Sequence, residues 1–225
     1  MTDYNCMTEV LKNKLIRIAR SKIADDDPSH DIHHALRVVG YVELLSKEEG
    51  ADLDILIPAA LFHDIVNYPK NDPMSLKSST ESAVIVGKIL SQISEYPQNK
   101  IKFVQRAIQN CSFRKGVKHI YLESKILQDA DALEATGAIA IMRTFASAGQ
   151  MKKTFYSPHD PYCKKREPNS KDYALDLFFD RLFKVRDRMY TQSARKLACL
   201  YTKFLTDFMR ELKFELKTSL NLKEE

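Results

Sequence analysis

Apolar residues recur at three- and four-residue spacing almost throughout the chain, while strand-like alternation is hard to find. The first such segment predicts a helix from about Thr8 to Ile23, burying Val10, Leu11, Leu15, Ile16 and Ile18. The run Asp25-Asp26-Asp27-Pro28-Ser29 ends it, through proline geometry and side chains that prefer caps and turns. A second helix is predicted from near Asp31 to about Ser46, with His34, Ala35, Val38, Tyr41, Val42 and Leu45 turned inward. Glu48-Glu49-Gly50-Ala51-Asp52 then turns the chain into a segment of different character. From Ile55 to Phe62 it is apolar on every side, the pattern of a helix at the middle of a domain.

Beyond that segment lies the loop Asn67-Tyr68-Pro69-Lys70-Asn71-Asp72-Pro73, stiffened by two prolines. Helical spacing returns at about Ser79 to Ile93, about Lys100 to Cys111 and roughly Leu122 to Ala148. Gly149 to Asp172 is long and irregular, with Pro158, Pro161, Pro168 and the basic run Lys164-Lys165-Arg166. Loops of that length are often functional. Two final helices are predicted, at about Tyr173 to Met189 and Thr191 to Lys217. The last is amphipathic through Leu197, Tyr201, Phe204, Phe208, Leu212 and Leu216. With six glycines, no repeat and no linker, the expectation is a single all-α globular bundle over residues 1–225.

Composition narrows the class without changing the fold. No apolar run approaches the roughly 18 to 20 residues of a membrane span, and Met1-Thr2-Asp3-Tyr4-Asn5-Cys6 lacks the features of a signal peptide. Cys6, Cys111, Cys163 and Cys199 are far apart, with no C-x-x-C pair, so free thiols in a cytoplasmic protein are expected. The net charge of +5 is spread among acids, which argues against a dedicated nucleic-acid surface and suits a small anionic substrate. Oligomeric state leaves no signature in the pattern.

The chemistry concentrates where the central apolar segment ends. Ala59-Ala60-Leu61-Phe62 delivers His63 and Asp64 side by side before Ile65 and Val66 turn apolar again. A carboxylate in a low-dielectric setting needs a positive partner, and a neutral imidazole beside it makes a divalent metal the natural one. The dipeptide alone decides nothing, since it recurs at His30-Asp31 and His159-Asp160. The other helix-borne candidates are His34, which shares a face with Arg37, and either Asp129 or Asp131 in the apolar stretch Ile126–Leu133. Two imidazoles and two carboxylates carry a total charge of −2. They suit one divalent ion of Mn, Fe, Co, Ni, Zn or Mg rather than a sulfur-rich structural zinc site. Such an ion would lower the pKa of a bound water and polarise a phosphoryl group.

A His, a later His-Asp pair and a distant Asp form a pattern that resembles the HD superfamily of metal-dependent phosphohydrolases. The likeness is closer still to its stand-alone bacterial members of about this length. The segments that carry it are His30-Asp31-Ile32-His33-His34-Ala35-Leu36-Arg37-Val38, Phe62-His63-Asp64-Ile65-Val66-Asn67 with Lys70-Asn71, and Glu123 to Ala135 followed by Gly137-Ala138-Ile139. Asp160-Pro161, Arg166, Pro168, Tyr173-Ala174-Leu175-Asp176 and Phe178 complete it. The resemblance implies an HD-type fold and the metal ligands His34, His63, Asp64 and Asp131. His30 and His33 are set aside because the family places its ligand three residues before the Arg-Val pair, where His34 stands, and Asp129 would turn elsewhere to orient a ligand. Asp64 and Lys70 would act in catalysis, with Arg37, Lys70 and Arg166 holding the phosphate. Arg106, Cys111, Ala132 and Leu177 depart from the subgroup's histidines and arginine, so one metal rather than two is expected. The same losses keep open a rival, a catalytically degenerate HD protein that binds a nucleotide or signal without turnover. The Phe178, Phe179, Leu182 and Phe183 cluster reads as core rather than a base-stacking platform.

Overall fold

The computed structural model describes residues 7–23, 30–68, 72–111 and 120–219. Lys70 and the Asp25–Ser29 breaker lie outside these residues. The described residues form nine α-helices, several short 3₁₀ turns and no strand, with one isolated bridge between Thr154 and Tyr173. The all-α expectation holds. No described helix is long and apolar enough to cross a membrane. The chain divides into two compact units, Met1–Asp131 and Ala132–Glu225. Apolar spacing carries no sign of this boundary, because it falls inside a helix.

In the first unit, α1 (Glu9–Lys22) starts at Thr8, whose hydroxyl accepts from the Leu11 N–H. It buries Leu11, Leu15 and Ala19, whereas Val10 is exposed and Ile16 and Ile18 are half-buried. The inward face is therefore narrower than the sequence suggested. α2 (Ile32–Glu49) is capped by Asp31 and stopped by Gly50 at φ 76°, a left-handed turn that glycine adopts without strain. α4 (Ser78–Ser91) and α5 (Ile101–Asn110) follow, with Leu76 closing a short 3₁₀ turn from Pro73.

At the centre lies α3 (Leu53–Phe62), packed against α1, α2, α4 and α5, with every residue from Ile55 to Phe62 buried. Pro58 sits inside it and has no N–H, which deprives the Asp54 carbonyl of its helical donor. The buried Tyr96 hydroxyl fills that gap, donating to the Asp54 oxygen at 2.8 Å. Lys100 ties down the same end of the helix through the carboxylates of Asp52 at 2.7 Å and Asp54 at 2.8 Å. Tyr96→Phe is expected to leave a buried carbonyl unpaired and to destabilise the protein by about 1–3 kcal/mol, read from denaturant unfolding. An unchanged midpoint would mean that the carbonyl finds another donor.

The predicted long helix from Leu122 is two. α6 (Leu122–Leu133) and α7 (Gly137–Gln150) are separated at Gly137, where φ is 76° and an added Cβ would meet Tyr201 at 3.1 Å. In the second unit the irregular segment is pinned by Thr154 and Phe155 bonding to Asp172, Ala174 and Leu175. The predicted helix over 173–189 shrinks to α8 (Asp176–Asp180) and two 3₁₀ turns. α9 (Gln192–Ser219) closes the unit. Its Leu205 and Met209 join Ala140, Leu175, Phe178 and Leu182 in a core where Phe178 stacks on Phe208 at 5.8 Å. That cluster is core, as its composition suggested.

Candidate metal centre

Three helices bring side chains to one point in the first unit. α2 contributes His34 one turn from its start, where the Asp31 carboxylate accepts from the His34 N–H at 2.8 Å and fixes the helix entry. α3 ends at Phe62, so the buried helix itself aims His63, its C-cap residue, and Asp64 in the turn beyond. Val66 N–H donates to Ser82 Oγ at 3.1 Å and Tyr68 Oη to Glu81 at 2.7 Å, which anchors the chain after the turn to α4. α6 supplies Asp131. Asp129, two residues earlier, is buried, and the helical step of about 200° between them turns it to another face.

Each carboxylate approaches both imidazoles, a grouping able to hold a metal ion. His34 Nε2 lies 3.4 Å from His63 Nε2, 3.6 Å from Asp131 Oδ1 and 3.8 Å from Asp64 Oδ2. His63 Nε2 lies 3.4 Å from Asp64 Oδ2 and 3.8 Å from Asp131 Oδ1. Two donors each about 2.0–2.2 Å from one cation lie about 2.8–3.6 Å apart at octahedral or tetrahedral angles. The observed separations fall at the upper end of that range and slightly beyond it. His63 Nδ1–H donates to the Ala60 carbonyl at 2.9 Å, which leaves Nε2 as the atom facing the cluster. The imidazoles are almost fully buried at 1% and 2% exposure, whereas the Asp64 and Asp131 side chains keep 30% and 38%. One side of the cluster therefore remains open to water. Two groups of three have donor atoms close enough to share an ion, His34-His63-Asp131 and His30-His34-Asp64, and their mixed nitrogen and oxygen atoms suit a divalent one.

Without a cation the cluster compensates itself. Burial pushes the His63 imidazole down, but Asp64 and then Asp131 outweigh it and raise the group to about 9. Burial likewise pushes Asp64 up, and the charge of His63, the His30 bond and His34 overcome it, holding the carboxyl well below its usual range. Asp131 behaves the same way, held down by His63 and His34. A raised imidazole stabilises fully below about pH 6.5 and loses its contribution as pH rises through about 9. Depressed carboxyls stabilise above about pH 4 and lose their contribution in acid. The metal-free protein is thus expected to gain most from this cluster between about pH 4 and 6.5. A cation must displace the His63 proton, so affinity should rise about tenfold per pH unit up to about pH 9 and then level. Calorimetry in buffers of different ionisation enthalpy should count about one proton released near neutral pH. Proton-neutral binding would contradict this.

Arg37 is half-buried on α2, and His33 is exposed. Arg166 belongs to the second unit, where it forms a two-pronged pair with the fully buried Asp176 carboxylate. Its other donors go to the Asp160 and Glu167 carbonyls, so all five N–H groups are used at home. The expectation that it holds substrate phosphate did not foresee this engagement. Arg106 stacks over the Tyr121 ring at 4.6 Å, and Cys111 is buried at the end of α5. His30, set aside on spacing, comes to the cluster after all. Its Nδ1 lies 2.9 Å from Asp64 Oδ2, and its ring meets His34 edge-on at 5.5 Å. It precedes the α2 cap, so helical phase carried no signal for it.

An all-helical fold with a His, a His-Asp pair and a later Asp at one point defines a class, and the comparisons agree with it. The HD domain profile matches residues 31–136. The uncharacterized protein YpgQ of Bacillus subtilis is 30% identical over 213 residues, spanning 92% of this chain and 94% of that protein. The chain belongs to the HD-domain superfamily. Among solved structures, Bacillus subtilis YpgQ in complex with ADP superposes with a TM-score of 0.69 at 26% identity, covering 93% of this chain and 97% of that one. An HD-superfamily hydrolase from Bacillus thuringiensis gives 0.71 at 28% identity, covering 93% and 98%. The Lin1889 protein of Listeria innocua gives 0.67 at 29%, covering 95% and 99%.

Proposed function

We propose that this chain is a divalent-metal-dependent phosphohydrolase acting on a small phosphorylated metabolite, a nucleotide foremost, with both units serving one HD-type domain. The observation that carries the reading is that Asp64 and Asp131 each lie 3.4–3.8 Å from both His34 and His63, themselves 3.4 Å apart, buried on the imidazole side and open on the carboxylate side. These four residues would hold the ion. Once bound, it supplies Lewis acidity toward a phosphoryl oxygen and a more acidic water. The buried imidazoles fix its position, because His63 is locked by Ala60 and His34 by its capped helix. Asp64, at the open side, would take a proton from water, and Arg37 and Lys70 would hold the substrate phosphates. The ADP seen in the YpgQ structure supports a nucleotide as the substrate class. The full engagement of Arg166 favours a structural role for it, revising its place among the phosphate-holding residues.

A panel of nucleotides and phosphomonoesters assayed with Mn, Co, Ni, Zn and Mg tests the reading. Metal-dependent release of phosphate or pyrophosphate is expected. A rival binding role is favoured by the departures at Arg106, Cys111, Ala132 and Leu177, Arg106 being occupied by Tyr121. Thermal stabilisation by a nucleotide at full metal loading, with no product from any substrate, would establish the rival instead.

A further inference from the structure

Asp64 is the ligand candidate with the least local support. It lies beyond the last residue of α3, so no helical turn restrains its side chain, and 30% of that side chain is exposed. Its neighbours His63 Nε2 at 3.4 Å and His34 Nε2 at 3.8 Å face the cluster and sit at or beyond the limit of a hydrogen bond. Among the described residues its one hydrogen bond comes from His30 Nδ1 at 2.9 Å. An ionised carboxylate only accepts, so Nδ1 carries the proton and donates it. The atom it reaches is Oδ2, the same oxygen that faces both buried imidazoles. His30 is itself held in place. Asp31, the next residue, caps α2, and the His30 ring rests against the His34 ring at 77°. The stretch His30-Asp31-Ile32-His33-His34 thus contributes an aiming group, a helix cap and a donor atom in sequence.

We propose that His30 is a positioning residue, which holds the Asp64 carboxylate in its ligating orientation and so sets the affinity of the site for its divalent ion. This rests on the metal reading above and adds to it a group outside the four-ligand set. Hydrogen-bonding partners of metal ligands typically contribute about 10- to 100-fold to metal affinity. The test compares wild type, His30→Ala and His30→Asn for Mn binding by calorimetry and for the visible spectrum of the Co-loaded protein. Asparagine can place an amide N–H near the position of Nδ1, whereas alanine removes the donor. His30→Ala should bind Mn about 10- to 100-fold more weakly and show an altered Co spectrum. His30→Asn should recover most of the affinity and the wild-type spectrum. Metal-free circular dichroism spectra of all three should agree, because His30 is partly exposed and precedes the first residue of α2. His30→Ala binding as tightly as wild type would overturn the proposal and leave the metal site standing. So would His30→Asn remaining as weak as alanine, since His30 would then act as a ligand or a packing group. A wild-type protein that binds neither Mn nor Co would overturn the underlying metal reading itself.

Discussion

His63→Ala is expected to abolish divalent-metal binding and to lower the proposed phosphohydrolase turnover by about a hundredfold to a thousandfold or more. The reason is position. His63 Nε2 is 3.4 Å from both His34 Nε2 and Asp64 Oδ2 and 3.8 Å from Asp131 Oδ1, so every other donor is arranged around it. Its tautomer is set by the Ala60 carbonyl, which no other residue type at position 63 would use in the same way. The metal-free protein should change too. Without the imidazolium, Asp64 and Asp131 lose the charge that holds them ionised, and their carboxyls should titrate upward. Metal content by mass spectrometry and turnover with added Mn are the measurements. Asp64→Asn serves as the partner variant, since it keeps the shape and removes one negative charge. Retention of stoichiometric metal by His63→Ala would contradict the arrangement.

The second large effect lies in the other unit and concerns stability alone. Arg166→Ala leaves the fully buried Asp176 carboxylate with the Asn169 N–H at 2.6 Å but without its two-pronged partner. Breaking a buried pair from one side costs about 3–5 kcal/mol, and the quarter of the Arg166 side chain in water places this one near about 3. A drop in melting temperature of roughly 6–12 °C is expected for a chain of this size. Burial pushes the Asp176 carboxyl up, and the Arg166 and Asn169 bonds more than reverse that. Its contribution is therefore present above about pH 4 and fades in acid, so wild type and variant should converge as pH falls below about 4. Removing both charges, as in Arg166→Met with Asp176→Leu, should restore much of the loss, because the cost is the unpaired charge rather than the missing contact. Equal melting temperatures for wild type and Arg166→Ala would return Arg166 to the phosphate-binding role.

These two sites also show what could be read from residues alone. The central helix was legible because a segment apolar on all sides has only one place to go, and an imidazole and a carboxylate at its end stand out against that background. Helical phase turned His34 inward, and its choice as a ligand came from the family resemblance. Asp129 and Asp131 are both on α6, and spacing alone gave no reason to prefer one. Their opposite directions become meaningful only once His34 and His63 are fixed in space. His30 was set aside on spacing, and because it precedes the cap of α2, three- and four-residue periodicity gave it no support. The partnership of Arg166 and Asp176 spans irregular backbone, and a basic run in a loop looks solvated until its buried acid is located. The break at Gly137 was hidden by apolar spacing that continues on both sides of it, since phase is silent on a single left-handed residue. Segment 173–189 has helical spacing too, but packing around Phe178 breaks it into a short helix and 3₁₀ turns.

One measurement bears most directly on the central claim. X-ray absorption at the metal edge of the Mn- or Co-loaded protein, with anomalous diffraction to locate the ion, should find one dication per chain. Two imidazole nitrogens and at least two carboxylate oxygens should surround it at about 2.0–2.2 Å, from His34, His63, Asp64 and Asp131. An ion that leaves out His34 or Asp131, or a chain that retains no ion at all, would contradict the account.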